Sequence, residues 1–200
     1  MTNIVQDMSP AMALALAASF GSAAQWQTEF NALAPTGDSA AWKVLSFQPS
    51  LGSLINHTAT GSDLTATGRV PVLVRETSDQ TPLAWDAVYA RYQHAVHDAS
   101  DAFGVAPDAT GHAIVLDVRR AGVFEQAKTM LPGAQWKDPA AVALWGAELP
   151  CDQEVLVYCV YGHEVGRSTA MRLCAMGVNA RFLPGGIDAW QTAGKPVQAK

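Results

Sequence analysis

The stretch "EVLVYCVYGHEVGRSTAMRLCAMG", residues 154–177, decides the fold. It opens with a short apolar run, "VLVYC" after Glu154, which predicts a strand covered on both faces. A tight turn around Gly162 follows, and then a helical pattern that begins near Gly166 and is stopped by Gly177. Outward from this unit the same rhythm repeats. "AIVLDV" (113–118) and "ARFL" (180–183) read as further strands, and "DPAAVALWGAEL" (138–149) as a helix with Asp138 as N-cap and Pro139 at its first position. "GIDAWQTA" (186–193) reads as a last helix. Strands apolar on both faces and separated by helices predict an α/β fold, a parallel sheet with helices on both faces.

Upstream the texture changes near residue 70. An Ala-rich helical segment, "AMALALAASFG" (11–21), is followed by Trp26, Phe30 and Leu33 at helical spacing, and "SLGSLINHTATGSDLTATG" (50–68) reads as loop. "RVPVLVRE" (69–76) reads as a strand, and "TPLAWDAVYARYQHAVHDASDAF" (81–103) as a helix capped by Thr81, with Trp85, Val88, Tyr89, Tyr92 and Val96 on one face. The expected organisation is a mostly helical accessory extension over 1–70 and a second domain over 71–200.

The formal net charge is −5 and the 13 Lys and Arg residues form no block, so neither nucleic acid nor an anionic membrane is expected as partner. The apolar segment near the N-terminus is too short to cross a bilayer and lacks early basic residues, the first being Lys43, which points to a cytoplasmic protein. Three cysteines, Cys151, Cys159 and Cys174, make no disulfide framework and leave thiols available for chemistry.

Ligands of such sheets bind beyond the carboxyl ends of the strands, which is where Cys159 stands. A turn curled onto a helix N-terminus gathers backbone N–H groups and the positive end of the helix dipole into an anion cradle. The expectation is a thiol with a lowered pKa and a nucleophilic role. Val160, Tyr161, Gly162, His163, Glu164, Val165 and Gly166 form the cradle, with the His163 and Glu164 side chains at its rim. Arg167, in the first helical turn, either draws an anion or is a solvated surface residue. No metal is expected: His163 and Glu164 begin an HExxH pattern, but Arg167 takes the place of its second histidine. His94 and His97 read as the solvated face of their helix.

Taken in order, "IVLDVRRAGVF", "LPGAQW", "VLVYC" with its turn, and "FLPGGIDAW" with "GKPV" resemble the rhodanese (thiosulfate sulfurtransferase) family over about residues 112–200. The resemblance implies a rhodanese-like fold, and a Cys159 that takes a sulfane sulfur from a small anionic donor as a persulfide. It then passes the sulfur to cyanide, a thiol or a protein acceptor, with no cofactor. It also implies that Asp117 and Arg119 support the active-site loop, and that Gly185, Gly186 and Trp190 belong to the closing segment. Counted from Cys159 to Val165 the cradle has seven residues, the length found in phosphatases and arsenate reductases of this fold. Those enzymes place an arginine where this chain has Val165. A phosphoryl group needs that bidentate cation, so sulfur is favoured over phosphate or arsenate. A non-catalytic or regulatory module that senses an oxyanion or a persulfide is the alternative.

Overall fold

The structure is a computed structural model that describes residues 7–34, 42–60, 68–79, 81–107 and 111–200. The chain divides into two compact units, Met1–Pro49 with Ser53–Ala95, and Ser50–Gly52 with Val96–Lys200. The division therefore falls within a helix near residue 95, where the sequence suggested residue 70.

In the first unit, helix α1 (Pro10–Phe20) starts at Ser9, whose hydroxyl accepts from the Met12 amide, and helix α2 (Ala23–Ala32) starts at Ser22 in the same way. Strands β1 (Trp42–Gln48), β2 (Ser53–Ala59) and β3 (Val70–Glu76) form an antiparallel sheet in the order β2-β1-β3. The helices of the N-terminal part are thus present, but the loop reading of 50–68 is corrected by β2; residues 61–67 of that passage lie outside the described residues. The polar residues that made β2 look like loop have partners from other elements. Asn56 accepts from the Trp26 indole at 3.0 Å, and His57 Nε2 lies 2.9 Å from the hydroxyl of buried Ser46. Trp26 stands edge-on to Trp85 at 5.4 Å, inside a core that includes Met12, Leu16, Phe30 and Phe47. Trp85 opens helix α3 (Trp85–Ser100), which begins later than the Thr81 cap the sequence suggested.

The second unit contains the expected parallel sheet. Strands β4 (Ile114–Asp117), β6 (Gln135–Trp136), β7 (Val155–Tyr158) and β8 (Ala180–Phe182) run in the order β6-β4-β7-β8, all parallel. β5 (Thr129–Met130) pairs separately with the C-terminal β9 (Gln198–Ala199). Alternate residues of β7 supply two cores. Val155, Val157 and Cys159 pack with Val142 and Trp145 of α5 (Val142–Trp145) and with Ala170 and Leu173 of α6 (Glu164–Ala175). Leu156 and Tyr158 pack on the other face with Ile187 and Trp190 of α7 (Gly186–Thr192), and Phe124 of α4 (Ala121–Gln126) joins them. Asp138 caps its segment as expected, although a 3-10 turn, Pro139–Ala141, precedes the short α5.

The carboxyl ends of β4 and β7 are locked by a buried polar network. Asp117, fully buried, accepts from Arg119 Nε at 2.9 Å and Nη2 at 2.5 Å, from the Arg119 amide at 3.0 Å and from the Tyr158 hydroxyl at 2.8 Å. Arg119 reaches on to the Thr129 carbonyl at 2.9 Å, and the Leu131 amide donates to the Tyr158 oxygen. Burial, followed by the Asp117 charge, pushes the Tyr158 phenol well above its ordinary range and keeps it a donor. Asp117→Ala would leave Arg119 buried and unpaired, so urea denaturation should show the second unit destabilised by about 3–5 kcal/mol; a loss below about 1 kcal/mol would contradict this role.

Candidate active site

Cys159 follows the last residue of β7 and is 6% exposed. Helix α6 begins at Glu164 rather than near Gly166, because His163 is already in the extended N-cap conformation. The earlier start brings the first-turn amide of Gly166 to the sulfur, where it donates together with the amides of Gly162 and His163. A Cβ at Gly166 would stand 3.4 Å from Sγ, in van der Waals contact, so the first turn of the helix runs directly beside the thiol. The first N–H groups of a helix have no partner within it, and here a sulfur takes that role at the positive end of the dipole.

The carbonyls of the same loop point the other way. Those of Cys159 and Val160 accept from the Ile187 and Asp188 amides of α7, each at 3.0 Å. Gly162 and Gly186 both have positive φ, +67° and +58°. A Cβ on Gly162 would fall 2.4 Å from the Gly185 nitrogen, and one on Gly186 would fall 2.4 Å from the Val160 oxygen. The two segments lie backbone against backbone and admit only glycine at these points. Trp190, named with these glycines in the sequence, is buried and donates to the Pro196 carbonyl at 2.8 Å.

The electrostatics correct one expectation. Burial, helped by the Glu164 carboxylate, pushes the Cys159 thiol up, against the downward pull of the three amides. Glu164 is itself buried, 6% exposed, in the first turn of α6 rather than on the rim. Tyr161 and His163 do form the exposed rim, with ring centroids 5.8 Å apart. Val165 is half-buried against the core cluster that contains Cys159.

Arg167 is not a solvated surface residue but is held by the protein. Its Nε donates to the Gly162 carbonyl at 2.9 Å, its Nη1 to Ser100 Oγ at 2.9 Å and to Asp101 Oδ1 at 3.0 Å, and its guanidinium lies 4.4 Å over the Phe182 ring. His97 is the residue that sequence reasoning missed: its ring lies 5.9 Å from that of His163. Burial lowers its pKa, and the charges of Arg167 and His163 lower it further. Only the fold brings the last turn of α3 to this loop, so its helical spacing gave no signal. Cys151 is exposed at the far end of β7, and Cys174 donates to the Ala180 carbonyl at 3.2 Å.

The family model for the rhodanese-like domain matches residues 105–193. This part of the chain is a rhodanese-like domain. A full-length protein from Lactobacillus plantarum is 29% identical, with 46% of this chain and 78% of that one covered and a TM-score of 0.42. A rhodanese-related protein from Thermoplasma volcanium is 25% identical over 46% and 88% of the two chains, with a TM-score of 0.39. The rhodanese-like domain of a protein from Anabaena is 23% identical over 44% and 88%, again with a TM-score of 0.39. No curated protein matches the chain. Among the described residues, no helix is long and apolar enough to cross a membrane, and no group of three or more His, Cys, Asp or Glu side chains is placed to hold a metal ion.

Two outcomes follow for this rhodanese-like domain. Gly162→Ala combines a strained φ with a backbone clash and should cost on the order of 1–3 kcal/mol in thermal or urea unfolding, with loss of Cys159 reactivity. Alkylation of Cys159 by iodoacetamide should still be accelerating as pH rises past 9, because a raised thiol pKa delays the thiolate. Glu164→Gln removes a like charge and should shift that profile to lower pH; a profile already flat at pH 7 in the wild type would refute the upward push.

Proposed function

We propose that the protein is a sulfurtransferase that carries a sulfane sulfur on Cys159. The observation that carries this reading is the set of three backbone amides donating to one strand-end sulfur. Such a cradle stabilises a sulfur anion without any cofactor. In the first half-reaction the thiol proton leaves to solvent and the thiolate attacks the outer sulfur of thiosulfate. The S–S bond of the donor breaks, and sulfite departs with the electron pair. In the second, the carbon of cyanide, or the sulfur of a thiol or protein acceptor, attacks the terminal sulfur and returns the Cys159 thiolate. A persulfide is more acidic than its parent thiol, so the amides are matched to the loaded form better than to the resting one.

Phosphate or arsenate chemistry is less well supported. Val165 stands where the bidentate arginine would be required, and the Nε and Nη1 donors of Arg167 are committed to Gly162, Ser100 and Asp101. A second reading, a module that holds an oxyanion or a persulfide with little turnover, is favoured by the raised thiol pKa alone. The cytoplasm, with its reduced thiols, is the proposed location.

Intact-mass measurement tests the proposal. Thiosulfate should add the mass of one sulfur to the wild type and none to Cys159→Ser, and cyanide should remove it. Cys151→Ser and Cys174→Ser should load normally. Loading without discharge by cyanide would select the sensing module, and hydrolysis of aryl phosphates at a rate rivalling sulfur transfer would reverse the choice of chemistry.

A further inference from the structure

Arg167 is attached to the outer side of the loop whose inner side holds the sulfur. Its Nε bonds the Gly162 carbonyl, and that carbonyl belongs to the same peptide group as the His163 N–H. A trans peptide is planar, with its C=O and N–H pointing in opposite directions, so fixing one aims the other. With the carbonyl held outward by Arg167, the His163 amide is directed at Cys159, where it is found. Glycine at 162, with its positive φ, gives the backbone the freedom to turn this peptide, and the arginine removes that freedom.

We propose that Arg167 is the positioning residue of the cradle, aiming the Gly162–His163 peptide at the sulfur from behind. Its own position is overdetermined. The Nη1 hydrogen bonds to fully buried Ser100 and to Asp101, together with the Phe182 ring beneath the guanidinium plane, fix it on three sides. These contacts also explain a cation in the first turn of α6, where the helix dipole opposes it. The role rests on Cys159 being the reactive group of the proposed function, but not on which anion it meets.

The test reads the thiol directly. The pH profile of Cys159 alkylation should move up by about one unit in Arg167→Gln, making the reaction about tenfold slower near neutral pH. Arg167→Lys separates aim from charge. An ammonium group keeps the charge but cannot hold Gly162, Ser100 and Asp101 together, so its profile should move up as well. A wild-type profile in Arg167→Gln would overturn the proposal, and so would one in Arg167→Lys, which would show the charge acting through space. Should Arg167→Gln fail to fold, Ser100→Ala with Asp101→Asn removes both anchors while keeping the arginine, and an unchanged profile there would be equally decisive against it. Because alkylation requires no sulfur donor, failure of thiosulfate loading in the wild type would count against the proposed function and leave this result intact.

Discussion

A carboxylate with no access to water must find donors within the protein, and Asp117 finds them in Arg119 and Tyr158. Everything at the site is built on that requirement. Tyr158 is the residue before Cys159, so its hydroxyl, fixed to Asp117, holds the end of β7, and the other face of the same strand delivers the thiol. The Arg119 carbonyl, meanwhile, accepts from the Trp136 indole at 2.9 Å, and the Asp117 carbonyl accepts from the Lys137 amide, which ties the neighbouring strand end into the same frame. The cradle can hold a definite geometry because the strand ends beneath it cannot slide.

The parts of the fold that the sequence revealed are those whose causes are local. Apolar runs marked β4 and β7, the repeated strand–helix rhythm marked β8, and Asp138 with Pro139 marked a helix start. The parts it concealed have distant causes. Asn56 has poor strand propensity, and β2 carries it with its side-chain oxygen held by the Trp26 indole, 30 residues away, while His57 meets the Ser46 hydroxyl of the paired strand β1. The direction of the Cys159 pKa was misjudged for a related reason. The loop amides are legible from spacing, but the depth of the sulfur and the burial of Glu164 depend on how α6 seats on the sheet. Arg167 and His97 acquire their contacts only when the end of α3 meets this loop.

Glu164 shows the site and the helix pulling in opposite directions. An acidic residue in the first turn complements the dipole and favours α6 by about 0.3–1 kcal/mol, yet the same charge opposes ionisation of the neighbouring thiol. Arg167 reverses the bargain, opposing the dipole while anchoring the loop. The first turn of α6 is therefore a compromise in which neither charge can be understood from helix propensity alone.

The division of the loop's peptide dipoles, N–H groups toward the sulfur and the carbonyls of Cys159 and Val160 toward α7, fixes the sign of what Cys159 welcomes. Here those two oxygens are engaged by α7 amides, and three peptide dipoles present their positive ends to the sulfur. The surroundings of the sulfur are therefore polarised for a negative partner, and neither of these two carbonyl oxygens is turned toward it.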